Sequence, residues 1–276
     1  MKVAFCTCVQ IGISCIEAIQ EMGGRFDLLL TLNDHKSKNK SGRIYLDDLA
    51  KTSNTPLFKL NHINDPDVAD ILLRYEIDWL FIIGWSQIAS ADLIRILKKG
   101  IIGAHPTLLP LGRGRASVPW AIIKGLDRSG VTFFKIDEGV DTGKILDQLE
   151  IPITLNETAT TLYEKVNQGH IGLIKQIWPK LIKDSIIGFE QDESIATYWE
   201  GRTPADGELF KDMTILEVDK MVRATTRPYP GAFIMLDEKV KMIIWSGSSE
   251  ILKNSKIIEF IDGPFYVSDF EIVTIS

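Results

Sequence analysis

The chain has 276 residues, 45% of them hydrophobic and 25% charged, with a formal net charge of −6. That balance is ordinary for a soluble globular protein, and its sign argues against nucleic acid as a partner, since neutralising a phosphate backbone needs a basic surface. No apolar run approaches the roughly 20 residues of a membrane span, and the start lacks a signal-peptide pattern, so no membrane and a cytoplasmic setting are expected. Cys6, Cys8 and Cys15 sit together without a partner set of ligand spacing, so buried, reduced thiols are expected and no metal.

In chain order, residues 2–6 read as a first buried strand. A loop with Gln10 follows, and Ile13, Ile16, Ala18 and Ile19 then form one helical face. Gln10 sits at the strand edge, where either a ligand or solvent can meet it. The glycine-rich dinucleotide fingerprint is absent, so no nicotinamide or flavin dinucleotide is supported. Residues 26–32 read as a second strand. The next loop, NDHKSKNKSGR, is the densest basic cluster, with Lys36, Lys38, Lys40 and Arg43. It reads either as a solvated loop or as a cover for a phosphorylated substrate. Tyr45 behind it is a candidate for stacking on a base. A helix is expected at 68–75 and a central strand at 78–83, ending in the loop of Trp85, Gln87 and Ile88. A helix follows at 90–98, with Ser90 as its cap and Gly100 as its stop.

The stretch from 100 to 146 carries the chemistry. The apolar pair Ile101-Ile102 breaks off at Gly103 into a loop that holds His105. Leu108-Leu109-Pro110 follows, then Arg113 and Arg115 among glycines, a helix at 118–124 and a β-rich run at 131–136. The acidic turn DEGVDTG at 137–143 closes it. A histidine delivered to the carboxyl edge of an α/β sheet is a candidate for proton transfer, and Asp141 can fold back to orient it.

Taken together, HPTLLP, GRG, PWAI, GVT and VDTGKIL resemble the core of the folate-dependent formyltransferases. That family includes methionyl-tRNA, glycinamide ribonucleotide and sugar N-formyltransferases. The resemblance implies an α/β fold, a doubly wound Rossmann-like formyltransferase core over 1–190, with a small mostly-β, OB-like module over 191–276. It implies His105 and Asp141 as catalytic residues and N10-formyltetrahydrofolate as formyl donor. It places Trp85, Gln87, Ile88, Leu109, Asp137 and Val140 in the folate pocket. The family's third catalytic residue is an asparagine two positions before the histidine, and here that position is Gly103. Backbone N–H groups or Gln87 are the candidates to replace its carboxamide.

Beyond residue 149 a strand, a long helix over 158–183 with Pro179 kinking its last turns, a helix capped at Thr214, and several short strands are expected. His170 on the long helix reads as structural. The segments RTPADG and RPYPGAF resemble the C-terminal module of tRNA and amino-sugar formyltransferases, which glycinamide ribonucleotide formyltransferases lack. The favoured acceptor is the amino group of a UDP- or dTDP-linked 4-amino-4,6-dideoxy sugar, for surface polysaccharide or glycan biosynthesis. The acidic net charge, the basic residues concentrated near Lys36–Arg43 and at Arg113 and Arg115, and a C-terminal module short for gripping tRNA support it. Gln10, Lys36, Lys38, Arg43, Arg113 and Arg115 are the substrate-binding candidates. Formylation of methionyl-tRNA and a ligand-binding homologue that has lost its chemistry stand as alternatives. Many sugar enzymes of this family are dimers, which makes a homodimer an expectation.

Overall fold

The computed structural model describes residues 1–37 and 42–274. The chain opens as β1 (Val3–Cys6), α1 (Gln10–Glu21), β2 (Leu28–Leu32), α2 (Asp34–Ser37), α3 (Asp47–Ser53), β3 (Leu57–Leu60), α4 (Pro66–Arg74), β4 (Trp79–Ile82), α5 (Ala91–Ile96) and β5 (Gly100–His105). Strands β1, β2 and β4 are buried at every position, which is why they read as apolar runs, interrupted only at Thr31 of β2. The Ser90 hydroxyl accepts from Leu93 N at 3.3 Å and starts α5 as expected. The sequence reading passes over α3 and β3. Their residues, DDLAKTS and LFKL, carry no sustained apolar period, and only Leu60 of β3 is buried.

The chain continues through β6 (Arg113–Gly114), α6 (Ser117–Ile123), β7 (Arg128–Lys135), β8 (Ile145–Pro152) and α7 (Ala159–Ile182), then β9 (Tyr198–Trp199), α8 (Ile215–Thr225), β10 (Ala232–Met235), β11 (Val240–Ser248), β12 (Lys256–Phe260) and β13 (Gly263–Thr274). Pro179 lies inside α7, whose helical backbone runs on to Ile182. No helix among the described residues is long and apolar enough to cross a membrane.

Two compact units interleave along the chain. One comprises Met1–Arg113, Gly130–Ile151 and Val166–Tyr198; the other comprises Gly114–Ser129, Pro152–Lys165 and Trp199–Ser276. The sequence expectation was a single cut between 190 and 191. Helix α6 and the start of α7 have no local signal that assigns them to the later unit, so a linear reading cannot find such a division.

In the first unit, seven strands form a sheet in the order β3-β2-β1-β4-β5-β7-β8. The pairs from β3 to β5 are parallel, and β7 runs antiparallel to β5. The order reverses between β1 and β4, the switch at which open parallel sheets form their ligand crevice. Alternation along β1 feeds two layers. Ala4 and Cys6 pack with Leu30, Leu80, Val68, Leu72 and Leu93. Phe5 faces the other way, stacks on Phe81 at 5.4 Å and meets Phe26 edge-on at 5.5 Å. Trp178 of α7 closes this aromatic cluster at 5.9 Å from Phe26. All three cysteines are buried and none is in a disulfide.

In the second unit, four antiparallel strands lie in the order β10-β11-β13-β12. Helix α8 starts at a capping box between Thr214 and Glu217 and buries Val218 and Val222 against Met242, Ile244, Phe265 and Val267. The barrel-like module expected from the short strands is a four-stranded sheet that ends at β10 and β12, with a single bridge from Glu208 to Phe233 of β10, and a helix covers one face.

His170 of α7 lies in the first unit, fully enclosed beside Phe133, its Nδ1–H donating to Val166 O at 2.7 Å. Burial pushes its imidazole down to about 4; the Val166 carbonyl opposes this and nearby His105 adds to it. Unfolded chains therefore bind the proton first as pH falls. The stability carried by neutral His170 is complete above its ordinary value of 6.5 and is lost as pH drops towards 4. That loss amounts to about 3 kcal/mol. His170→Gln is expected to flatten the fall in Tm between pH 7 and pH 4.5, followed by circular dichroism. Equal slopes in both proteins would show that the imidazole titrates alike folded and unfolded.

Candidate active site

His105 is the last residue of β5, opposite Thr132 of β7. Its loop is tied down at several points. The Thr132 hydroxyl donates to Thr107 O at 2.7 Å and accepts from Leu109 N at 3.1 Å. The Gln148 amide donates to Thr132 Oγ1 at 2.8 Å and to Leu109 O at 2.7 Å. Within this frame His105 Nε2 lies 2.8 Å from Gly112 O. A carbonyl only accepts, so Nε2 carries a hydrogen.

The other ring nitrogen, Nδ1, lies 3.5 Å from Asp141 Oδ2. A lone pair facing a carboxylate repels it. A proton between them converts the contact into a charge-assisted hydrogen bond. Only 8% of the His105 side chain and 18% of the Asp141 side chain are exposed, which leaves an edge for a ligand while excluding most water.

Strand β7 passes His105 at Thr132 and ends three residues further on, opposite Ile102, so the acidic turn must fold back to carry Asp141 to the imidazole. Asp137 Oδ1 accepts from Gly139 N at 3.1 Å and from the Thr142 hydroxyl at 2.7 Å. Gly143 closes the turn against β7, where a Cβ would stand 1.7 Å from Lys135 O. Asp141 adopts φ +56°, a left-handed conformation that costs a non-glycine residue roughly 1–2 kcal/mol. Gln191 offsets this: its amide nitrogen donates to Asp141 O at 2.8 Å and to Gly143 O at 2.7 Å, each bond contributing about 1 kcal/mol net.

Of the expected site residues, the structure brings His105 and Asp141 together. Trp85 and Gln87 also meet: Gln87 Oε1 accepts from Trp85 Nε1 at 3.2 Å and from Ile63 N at 2.8 Å. The Gln87 amide donates to Asn61 O at 3.2 Å, so this carboxamide stitches two loops together. Ile88 and Val140 are exposed and Leu109 is buried. Asp137 organises its own turn. Gln10 heads α1 and donates to Ser14, four residues on, at 3.1 Å.

Arg113, expected to bind substrate, has no donor left to do so. Its five N–H groups reach Gln191 Oε1 twice, both Glu193 oxygens and Tyr198 OH, at 2.6–3.1 Å. Its side chain is fully buried, and the Glu193 carboxylate holds it firmly protonated. Arg43 is committed as well: it donates to Thr31 Oγ1 and Leu32 O at 2.8 Å each, and it lies under the Tyr45 ring at 4.8 Å. Arg115 is exposed and belongs to the second compact unit. Lys38 lies outside the described residues, as does the side chain of Lys36. The sequence reading missed Gln191. Only its spacing from Arg113 in the folded chain reveals it, and 78 residues separate the two in sequence.

The fold is that of an α/β enzyme, with a histidine and an aspartate side by side at the end of a strand. The chain belongs to the formyl transferase family, whose model matches residues 15–177, more than half of its length. Three solved structures share the fold over nearly the whole chain. A sugar N-formyltransferase from Shewanella sp. FDAARGOS_354 is 21% identical over 92% of this chain and 99% of its own, with a TM-score of 0.73. An N-formyltransferase from Helicobacter canadensis, solved with folinic acid and dTDP-3-aminofucose, is 20% identical over 98% and 100%, with a TM-score of 0.71. The methionyl-tRNA formyltransferase from Clostridium thermocellum is 19% identical over 99% of both chains, with a TM-score of 0.67. That last match means the length of the C-terminal module does not separate the two kinds of acceptor, contrary to the sequence argument.

Position 103 is packed. A Cβ on Gly103 would stand 3.0 Å from Ile136 Cδ1 and Cγ1 and 3.1 Å from Phe134 Cζ. The space beside the backbone is filled by apolar side chains from the β7 end. Gly103→Asn is therefore expected to lower stability by about 1–3 kcal/mol in chemical denaturation, the usual cost of overpacking. Adding Ile136→Ala should recover part of that loss. Full stability of the single variant would show that the pocket already has room for a carboxamide.

Proposed function

We propose that this enzyme moves a formyl group from N10-formyltetrahydrofolate to the amino group of a nucleotide-linked amino sugar. The observation that carries the reading is the His105–Asp141 pair at 3.5 Å in a chain of this family. The neutral amine attacks the formyl carbon, and negative charge develops on the formyl oxygen. The C–N10 bond then breaks. One proton leaves the attacking nitrogen for the His105–Asp141 pair, and one returns to N10 as tetrahydrofolate departs. Donors aimed at the developing oxyanion supply much of the acceleration in such reactions. With Gly103 in the asparagine position and Gln87 engaged in its loops, backbone N–H groups of the His105 loop are the donors at hand.

Charge supports a sugar acceptor over tRNA. The second compact unit, which carries the C-terminal sheet, has 13 Lys and Arg against 16 Asp and Glu. A tRNA backbone favours the opposite balance. Tyr45 supports a nucleotide: its ring is half exposed and is backed on one side by the anchored Arg43 guanidinium. Such a ring offers its free face to a base. The sugar structures among the relatives, one holding a dTDP-linked 3-amino sugar, leave the position of the amine as the finer question, with a 4-amino-4,6-dideoxy sugar as the reading favoured from the sequence.

Turnover with N10-formyltetrahydrofolate and a panel of dTDP- and UDP-linked 3-amino and 4-amino sugars, with methionyl-tRNA alongside, tests this. Formylation of one sugar nucleotide is the expected result. Formylation of methionyl-tRNA alone, or binding of folate without turnover on any amine, would overturn it. His105→Ala and Asp141→Asn should each lower kcat by about 10²–10⁴-fold while the fold survives. An unchanged rate in either variant would make that residue structural.

A further inference from the structure

Residues 189–198, between α7 and β9, touch both loops that carry the catalytic pair. On the His105 side, Thr197 N donates to Pro110 O at 3.2 Å, Thr197 O accepts from Arg113 N at 2.9 Å, and Thr197 Oγ1 accepts from Gly112 N at 2.8 Å. Gly112 is the residue whose carbonyl holds His105 Nε2. On the Asp141 side, Phe189 and Ile145 exchange both backbone hydrogen bonds at 2.8 Å. Gln191 donates to Asp141 O and Gly143 O.

Gln191 joins the two sides through Arg113. Its Oε1 accepts from Arg113 Nε at 3.1 Å and from Nη2 at 2.8 Å. One planar carboxamide thus spends both lone pairs on the arginine and both hydrogens on the acidic turn. Glu193 and Tyr198, from the same segment, fix the other end of the guanidinium. No apolar side chain of this size fills that role, and a carboxylate fills only half of it.

We infer that Gln191, seated on Arg113, is a positioning residue that sets the separation between His105 and Asp141. Asp141 is held in its left-handed conformation by carbonyl contacts from Gln191. When these are removed the peptide is free to rotate, and the carboxylate swings from the imidazole. Arg113 acts one step further back. It fixes the plane of the carboxamide and ties it to the strand that follows the His105 loop.

The inference rests on the formyl-transfer reading for its kinetic arm only. Gln191→Glu keeps the size and the Arg113 contact but sets an acceptor against two carbonyl oxygens. Gln191→Leu removes both contacts. Each is expected to lower kcat by about 10–100-fold with KM for both substrates within about threefold; Gln191→Leu also lowers the thermal midpoint, because two N–H groups of buried Arg113 lose their acceptor. In a crystal structure of either variant the Nδ1–Oδ2 separation should open beyond 4 Å. A folded variant with normal kcat, or with the separation kept at 3.5 Å, would overturn the proposal. If Gln191→Leu fails to fold, Gln191→Glu decides by the same measures. If the natural protein transfers no formyl group, the function is refuted, and the measured separation still decides the positioning role.

Discussion

A single carbonyl oxygen, that of Gly112, determines what His105 can do. Because it accepts from Nε2, the imidazole presents Nδ1 to Asp141, and the two groups meet across a gap that a proton closes. Much of the first compact unit serves to hold Gly112, His105 and Asp141 in register. The parallel strands bring β5 to its end at His105, β7 brackets it through Thr132, and the acidic turn reaches back across the three residues by which β7 runs past it.

The loops around the pair are held mainly by neutral side chains bonded to backbone groups. Thr132, Gln148, Thr197 and Gln191 each satisfy carbonyl or amide groups that a loop would otherwise leave to water. Placing polar bonds in the loops rather than in the strands lets the core remain aromatic and aliphatic. Arg113 is the exception, a buried charge. Its cost is met by five hydrogen bonds and one carboxylate, and breaking that set would leave the charge without compensation.

The loss of the family asparagine is not a simple deletion. Phe134 and Ile136 occupy the volume beside Gly103, so a side chain at that position would have to displace them. Gln87, the nearest alternative in the sequence reading, is absorbed in bracing the loops at 61–63 and 85–87.

The sequence by itself determined the apolar runs that became β1, β2 and β4, the caps at Ser90 and Thr214, and, through the spacing of HPTLLP and VDTGKIL, the pair His105 and Asp141. These are local or motif-level signals: a strand buried on both faces is mostly apolar, and a cap needs a hydroxyl at one position. The tertiary structure alone decided that Arg113 is a buried anchor rather than a hand for phosphate, that Arg43 backs Tyr45, and that Gln191 grips the acidic turn. The same arginine serves either purpose depending on which acceptors the fold delivers to its five donors, and those acceptors come from residues about 80 positions away.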